Sequence, residues 1–245
     1  MSPSPEVSAI PTGPVAVPAV VERLARGRSI TPAWRNELGG LTFRLSEGGD
    51  AQYVKWIATG TPEIDFPAEA ERLRWASRWT VVPTVIDHGV DVDGAWLLTA
   101  AVPGRSAVEP RWVARPAIAA AAIGRGLRVL HDALPVSGCP FDWSIERRLT
   151  GATSDIGPRP SIDHLVVCHG DACAPNTLLH DDGTFAAHVD LGRLGVADRW
   201  ADLAVAAWST EWNYGPGYDG LVYSGYGIAP DAERIAYYRR LWDAE

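Results

Sequence analysis

The sequence predicts an α+β fold in two parts, a small antiparallel sheet followed by a mainly helical part. Residues 42–45 and 52–56 alternate apolar and polar side chains around a turn, which is typical of a hairpin. From residue 116 onward, apolar residues recur mostly at helical spacing. The 245 residues are 47% hydrophobic and 21% charged, as in globular proteins. We expect a loose tail over 1–18, an N-terminal lobe over 19–102 and a C-terminal lobe over 103–245.

The N-terminal lobe is predicted to contain one main helix and two pairs of strands. Residues 1–18 are rich in proline, serine and small apolar residues, which is typical of a loosely held tail. After the tail we expect a short helix over 20–25, strands over 42–45 and 52–56 around a turn at 47–50, a helix over 67–79, and strands over 81–87 and 95–101. Pro103 and Gly104 end the last of these strands.

The C-terminal lobe is predicted to begin with a long apolar helix over 116–134. Pro116 suits the first turn of a helix, whereas Gly124 and Gly126 lower its helix propensity. A Gly/Pro/Ser loop over 151–161 follows. The remaining expected elements are a buried strand over 165–168, a hairpin of 177–180 and 184–190 around an Asp-Gly turn at 181–183, and helices over 200–212 and 232–241.

Charge and cysteine usage exclude several classes of protein. The net charge of −8 argues against a nucleic-acid binder or a protein that binds anionic membranes, and is compatible with a cationic ligand. Three cysteines do not make a disulfide framework, so we expect free thiols in a reducing compartment. No apolar run is long enough to span a bilayer, and prolines interrupt the N-terminal apolar stretch. We therefore expect a cytoplasmic protein.

The segment 168–199 carries the strongest chemical pattern. His169, Asp171 and Asn176 have the H-x-D-x-x-x-x-N spacing of a kinase catalytic loop, and Asp190-Leu191-Gly192 has the D-x-G form of a metal-binding triplet. Phosphoryl transfer needs one carboxylate to orient the attacking hydroxyl and accept its proton. It also needs hard oxygen ligands to hold Mg²⁺ against the phosphates. A hairpin between Asn176 and Asp190 can bring both side chains near Asp171.

The upstream half supplies the partners that this chemistry requires. Lys55 lies late in a predicted strand, where it can reach the α- and β-phosphates, and Glu69 in the next helix can pair with it. Residues 38–41, Leu-Gly-Gly-Leu, lie where a phosphate-covering loop belongs, and no Walker A motif is present. Each feature alone has a structural interpretation, such as a solvated lysine or a simple turn. Their common order along the chain favours kinase chemistry.

At these residues the sequence resembles the aminoglycoside O-phosphotransferases, in particular the 3′- and 3″-kinases of kanamycin/neomycin-type drugs and streptomycin. The resemblance is carried by residues 169–176 and 189–204, and further by 69–75, 139–142 and 226–239. It implies a two-lobed protein-kinase-like fold that uses Mg²⁺ and ATP or GTP as phosphate donor, with the triphosphate between the lobes.

The resemblance also implies roles for individual residues. Asp171 would be the catalytic base, and Asn176 and Asp190 would hold Mg²⁺. Lys55, tied to Glu69, would hold the phosphates. The backbone groups of Ala100 and Val102 would receive the nucleotide base, and Arg193, Arg199 and Asp202 would be structural ion-pair partners.

The acceptor site is expected to be acidic, because aminoglycosides are cationic. The chain departs from the family pattern in the short segment between Phe141 and His169 and at its C-terminus, which ends Leu-Trp-Asp-Ala-Glu. The acidic candidates for the acceptor are Asp142, Glu211, Asp243 and Glu245, with Glu146 and Asp219 as further ones. A solvated surface carboxylate is the competing interpretation of each.

The sequence thus predicts Mg²⁺-dependent transfer of a γ-phosphate to a hydroxyl of an aminoglycoside, with antibiotic inactivation as its consequence. One alternative keeps the chemistry and changes the acceptor to another hydroxyl metabolite. A second alternative is a catalytically silent nucleotide-binding scaffold, against which Lys55, Asp171, Asn176 and Asp190 argue. The hydroxyl that is modified, the choice between ATP and GTP, and the oligomeric state stay open.

Overall fold

The computed structural model describes residues 8–61, 64–148 and 156–244. These residues form two compact units. The first contains the chain up to Trp75 together with Pro83–Ala101, and the second contains Ala76–Val82 together with the chain from Val102.

The first unit is built on a five-stranded antiparallel sheet in the order β1-β2-β3-β5-β4. Its elements are α1 (Ala19–Ala25), β1 (Ser29–Arg35), β2 (Leu41–Glu47), β3 (Asp50–Ala58), α2 (Phe66–Ala76), β4 (Val85–Val90) and β5 (Gly94–Ala100). Phe43 and Leu45 alternate with exposed Arg44 along β2, and both are fully buried in a core that includes Val21 of α1. This alternation is the period of a half-buried strand.

The predicted β2–β3 hairpin is confirmed, and its turn contains only two residues. Glu47 pairs with Asp50, so the connection consists of Gly48 and Gly49 alone. Their φ angles of 56° and 103° lie in the left-handed region. Only glycine adopts two such angles in succession at little cost, and turns of this kind match the twist of the flanking strands.

The first unit differs from the sequence-based expectation in its strands. Strand β1 was not predicted. It contains Pro32, and proline is disfavoured within strands. The pairing of β1 with β2 shifts between Pro32 and Trp34, and a bulge on an edge strand accommodates the proline. Strand β4 begins at Val85 rather than at residue 81, and helix α2 ends at Ala76 rather than at 79.

Part of the segment that we expected to be a loose tail contacts the first unit. The backbones of Ala9 and Arg35 exchange two hydrogen bonds, of 3.0 and 2.9 Å. Val15 and Val17 pack against the core of the sheet. These contacts, together with a hydrogen bond of 3.2 Å from the N–H of Glu37 to the hydroxyl of Ser8, are not revealed by the proline-rich composition.

The second unit is mainly helical, as predicted, with two small sheets. Its elements are β6 (Arg105–Ser106), α3 (Pro110–Val113), α4 (Pro116–Ala133), α5 (Ile145–Arg148), β7 (Leu165–Cys168), a 3-10 turn (Ala174–Asn176), β8 (Thr177–Leu179), β9 (Phe185–His188), β10 (Gly195–Asp198), α6 (Trp200–Tyr214), α7 (Asp219–Tyr226) and α8 (Ala232–Asp243). The sheets are β6-β8-β9 and β10-β7. Helix α6 is buried along most of its length, which makes it the centre of the core.

Two glycines allow helices α4 and α7 to pack closely. A Cβ atom at Gly124 would lie 2.0 Å from the carbonyl oxygen of Val222, and one at Gly225 would lie 2.3 Å from that of Ala121. The two glycines thus lie on opposing helices, at the place where the two backbones come close together. The sequence analysis treated Gly124 only as a weakness of the helix, whereas its missing side chain is what the packing requires.

The helices predicted over 116–134, 200–212 and 232–241 are confirmed, with ends that differ by one or two residues. Helix α7 and strand β10 were not predicted. Of the loop expected over 151–161, residues 151–155 lie outside the described part of the chain. Among the described residues, no helix has both the length and the apolar character needed to cross a membrane.

Candidate active site

The predicted catalytic loop follows strand β7 and carries Asp171 and Asn176 in direct contact. The Nδ2 atom of Asn176 donates to the carboxylate Oδ2 of Asp171 at 3.1 Å and to its backbone oxygen at 3.0 Å. Both residues are half-buried. The amide therefore fixes the direction of the Asp171 carboxylate, which a base that orients a hydroxyl requires.

A buried carboxylate on helix α6 holds the start of this loop. Asp202 has no exposed surface, and it accepts hydrogen bonds from the backbone N–H groups of His169 at 2.6 Å and Gly170 at 2.9 Å. The Nε2 atom of His131, on α4, lies 2.9 Å from the same carboxylate. Charged acceptors make the stronger hydrogen bonds in proteins, so Asp202 anchors the loop rather than merely touching it.

Gly170 is required by the shape of the loop. Its φ is +83°, and a Cβ atom there would lie 2.1 Å from the carbonyl oxygen of Arg193. Its own carbonyl oxygen accepts from Nε1 of buried Trp143 at 3.2 Å. The H-x-D motif therefore needs glycine at its middle position for a backbone reason, independent of chemistry.

His131, Tyr226 and Ser209 support the loop and were not singled out by the sequence. His131 Nδ1 lies 3.0 Å from the hydroxyl of Tyr226, and the hydroxyl of Ser209 accepts from the N–H of Ala174 at 2.9 Å. Burial raises the pKa of Asp202, but the hydrogen bond and charge of His131, together with His169 and the N–H of Gly170, outweigh burial, so that this pKa lies below its ordinary value. Asp202, expected to be an ion-pair partner, is therefore an ionised partner of His131.

The hairpin β8–β9 brings Asn176 and Asp190 to the same end. Thr177 pairs with His188, and the N–H of Val189 donates to the oxygen of Asn176 at 3.0 Å. Asp190 follows directly and has a φ of +64°, a left-handed conformation that non-glycine residues rarely adopt. Strained residues of this kind concentrate at functional sites.

The donor set at this end of the hairpin fits Mg²⁺. The Asn176 amide uses its nitrogen on Asp171, which leaves its oxygen as the ligand atom, and Asp190 supplies a carboxylate. Hard oxygen donors of these two types are what Mg²⁺ takes beside phosphate oxygens. Burial raises the pKa of the nearby Cys173 thiol, and the charges of Asp171 and Asp190 raise it further.

A second group of potential metal ligands is explained without a metal. His131, Cys168 and Asp202 have ligand atoms within 4.8 Å of one another, and all three are buried. Burial, followed by the charges of Asp202 and Asp198, raises the pKa of the Cys168 thiol well above its ordinary value, so it stays protonated. His131 and Asp202 are engaged by Tyr226 and the loop backbone, and Cys168 Sγ donates to the oxygen of Asp198 at 3.4 Å, so this group is a structural part of the core.

The ion pair between Lys55 and Glu69, predicted from the sequence, is present in the first unit. The distance from Lys55 Nζ to Glu69 Oε1 is 2.7 Å. Lys55 projects from β3, where it pairs with Leu97 of β5, and Glu69 lies in the first turn of α2. The Glu69 side chain is only 6% exposed, so the pair holds the lysine in one position rather than on a solvated surface.

The residues predicted to surround the nucleotide are placed separately in the two units. Gly39 and Gly40 form a tight turn between β1 and β2, in which the Gly40 N–H donates to Asn36 Oδ1 at 2.6 Å. The N–H of Ala100 donates to the oxygen of Thr84 at 2.9 Å, so that N–H is already used within the sheet. Ala100 can therefore offer a base its carbonyl oxygen. Val102 begins the second unit's main segment.

Three of the six predicted acceptor carboxylates are engaged by other residues. Asp142 accepts from the N–H and hydroxyl of Ser144 at 2.9 and 2.8 Å, and Glu211 lies 3.6 Å from Arg239. Glu146 pairs with Arg159. Asp219 lies in the first turn of α7, Asp243 is the exposed last residue of α8, and Glu245 lies outside the described residues.

The two arginines of the motif region have structural contacts. Arg199 pairs with Asp163 at 2.7 Å, as an ion-pair partner should. The guanidinium of Arg193 lies 5.9 Å from the centre of the Trp242 ring, which is within cation–π range. The first contact agrees with the structural role that the resemblance implies. The second connects the segment after Asp190 to helix α8.

Comparison with known proteins supports the same chemistry. The model of a phosphotransferase enzyme family matches residues 156–240, which include the catalytic loop and the hairpin. An aminoglycoside 3′-phosphotransferase of Streptomyces fradiae is 35% identical over 83% of this chain and 90% of its own length. A streptomycin 3″-kinase of Streptomyces griseus is 31% identical over 84% of this chain and 88% of its own length.

Solved structures agree with these sequence relatives. An aminoglycoside-3′-phosphotransferase of type VIII is 31% identical and superposes with a TM-score of 0.72, over 89% of this chain and 94% of the other. The aminoglycoside phosphotransferase APH(3″)-Id from Streptomyces rimosus, in complex with ADP and streptomycin, is 28% identical with a TM-score of 0.61, over 82% and 88% of the two chains. The predicted two-lobed, kinase-like α+β fold is therefore confirmed, and this chain belongs to the aminoglycoside phosphotransferase family.

Proposed function

We propose that this chain transfers the γ-phosphate of ATP to a hydroxyl group of an aminoglycoside. The observation that carries the proposal is the contact of Asn176 with the Asp171 carboxylate, on a loop that Asp202 anchors. ADP and streptomycin in the complex of the Streptomyces rimosus relative support the nucleotide and the class of acceptor.

In this mechanism Asp171 orients the acceptor hydroxyl and takes its proton. The acceptor oxygen forms a bond to the γ-phosphorus while the bond from that phosphorus to the bridging oxygen of the leaving ADP breaks. The Asn176 amide keeps the Asp171 carboxylate turned toward the acceptor. A general base of this kind contributes roughly 10²–10⁴-fold to the rate.

The remaining predicted residues act on the nucleotide. Lys55, held by Glu69, binds phosphate oxygens as a point charge. Asn176 and Asp190 would hold Mg²⁺, which neutralises the charge on the phosphates when it is bound. Ala100 and Val102 would contact the base through their backbones. Cys139, Cys168 and Cys173 form no disulfide with one another, which supports a reducing compartment, and we place the protein in the cytoplasm.

A coupled nucleotide-turnover assay with Mg²⁺ tests the proposal. ATP and GTP are each supplied with kanamycin, neomycin or streptomycin, and Asp171→Asn is the matched control, since it keeps size and shape. We expect turnover that depends on the acceptor, with kcat lowered by about 10³-fold in Asp171→Asn and the nucleotide Kd unchanged. Turnover with another hydroxyl metabolite but with no aminoglycoside would show that the acceptor belongs to a different class of compound. Near-normal kcat in Asp171→Asn would remove Asp171 as the base.

A further inference from the structure

The outer side of helix α6 carries two adjacent tryptophans that the mechanism above does not use. Trp208 and Trp212 are one turn apart, and their ring centres are 4.9 Å from each other at an angle of 52°. Trp208 is half-buried, whereas Trp212 is 51% exposed. Such an exposed indole next to a second one is a common feature of surfaces that bind ligands.

Arg239 of helix α8 fixes this pair. Its guanidinium carbon lies 5.4 Å from the centre of the Trp208 ring, and its Nη1 atom lies 3.6 Å from Glu211 Oε1. The Arg239 side chain is 24% exposed, so it is largely packed against α6. Trp208 is thus in contact with both Arg239 and Trp212, and Trp212 is the solvent-facing end of the group.

Helix α6, which carries the pair, contacts the catalytic loop. Ser209, next to Trp208 in the sequence, accepts the hydrogen bond from Ala174, three residues after Asp171. Trp212 is three residues beyond Ser209, which is a rise of about 4.5 Å along the helix and places both on neighbouring positions of one side. Trp212 is thus less than one turn along α6 from the side chain that holds the catalytic loop, and its ring is exposed there.

Two of the carboxylates predicted to bind the acceptor are already engaged by other residues. Glu211 lies on the same helix, but its carboxylate already pairs with Arg239. Asp142, another predicted acceptor ligand, is used by Ser144. The face of an indole attracts an ammonium group more strongly than other aromatic rings do, and its area also suits the apolar face of a sugar.

We propose that Trp212 is a specificity-determining residue that binds the acceptor, receiving an ammonium-bearing ring of the aminoglycoside on its exposed indole. This inference rests on the proposed function and adds to it the means of recognition. It assigns to an aromatic ring part of the binding that the sequence analysis expected from carboxylates.

Steady-state kinetics of Trp212→Ala and Trp212→Phe, with kanamycin as the varied substrate, test the inference. Trp79→Ala is the matched control, because Trp79 is a tryptophan of similar exposure, at 41%, that lies outside helix α6. We expect KM for kanamycin to rise about tenfold in Trp212→Ala and less in Trp212→Phe, which keeps a ring. KM for ATP should stay the same, and Trp79→Ala should match the wild type.

An unchanged KM for kanamycin in Trp212→Ala, or an equal rise in Trp79→Ala, would overturn the inference while leaving the proposed function intact. If the wild type turned over no aminoglycoside, the proposed function would fail by itself. Fluorescence titration with kanamycin then decides the inference, using Asp171→Asn with and without Trp212→Ala. Equal Kd values, or no binding, would contradict it, and weaker binding without the indole would support it.

Discussion

Asp190 has an unusual backbone conformation at the position where the sequence predicts a metal ligand. Its φ of +64° is one that a residue with a Cβ atom adopts at a cost of about 1–2 kcal/mol. Glycine would avoid that cost, but it has no carboxylate. Stability and the proposed metal binding therefore favour different residues at this position, and the chain has the one that serves metal binding.

Asp190→Gly and Asp190→Ala separate these two effects. Both variants lose the carboxylate, so both should bind ADP with Mg²⁺ much more weakly in calorimetric titrations. Only glycine removes the backbone strain, so Asp190→Gly should be more stable than Asp190→Ala by about 1 kcal/mol in urea unfolding. Equal stability of the two variants would show that the conformation is not strained.

His131 is expected to control the stability of the catalytic loop at low pH. The pKa of Asp202 is lowered in the fold, so its stabilising effect is present above the ordinary value of 3.8 and is lost as the pH falls through the lowered value. His131→Leu removes the partner, raises the pKa of Asp202 and should shift acid unfolding to higher pH. It should also cost about 3 kcal/mol at neutral pH, because a buried carboxylate loses its partner.

The matched control for His131→Leu is Arg128→Ala. Arg128 lies on the same helix and pairs with Asp132 at 2.7 Å, but both side chains are about half exposed. Exposed pairs contribute little, so this variant should stay within about 0.5 kcal/mol of the wild type and unfold in acid at the same pH. Acid titrations of both variants, followed by circular dichroism, measure the pH at which each one unfolds. An unshifted acid midpoint in His131→Leu would contradict the role of His131.

At the scale of elements, the packing of α4 against α7 overrides helix propensity. Gly124→Ala gains roughly 1 kcal/mol of propensity, but its Cβ atom would lie 2.0 Å from the oxygen of Val222, so the helices must separate. We expect a net loss of about 1–3 kcal/mol, as in other overpacked cores. A Cβ atom at Gly220, also a helical position, would meet no atom of a neighbouring element within 4 Å. Gly220→Ala should therefore be neutral or slightly stabilising. Thermal unfolding of both variants checks this, and a stabilised Gly124→Ala would refute it.

The elements with strong periodicity could be predicted from the sequence. The elements that contain residues unfavourable to their own secondary structure were missed. Helix α6 has apolar residues along its whole length, and the β2–β3 hairpin has a turn that only glycines form easily. Strand β1 contains Pro32, and helix α7 contains two glycines, so local propensity argued against both. Tertiary packing, which one sequence does not display, stabilises these two elements.

The residues of the candidate site also fall into a group that the sequence could predict and a group that it could not. Asp171, Asn176 and Asp190 lie close in sequence and have a diagnostic spacing, so they could be predicted. His131 and Asp202 are in contact although 71 residues separate them, and nothing in the local pattern around His131 indicates that contact. The pairing of Glu211 with Arg239 could not be predicted either, because Arg239 lies on another helix.

At the scale of the whole molecule, nucleotide binding should stabilise the folded chain. A ligand that binds only the native state at 100 times its Kd adds about 2.7 kcal/mol, which for a chain of this size raises Tm by roughly 5–10 °C. We expect this shift with ATP and Mg²⁺, and a much smaller one when a chelator removes the metal. Differential scanning calorimetry measures it. Equal shifts with and without chelator would argue against the metal role of Asn176 and Asp190.

The anchoring of the catalytic loop also has a consequence for how the protein is synthesised. Asp202 joins the loop to His131, and His131 in turn contacts Tyr226. Tyr226 leaves the ribosome long after the H-x-D motif has been translated. A nascent chain therefore carries its catalytic motif for some time without all the contacts that hold it, and the loop takes its final form only after Tyr226 has been made.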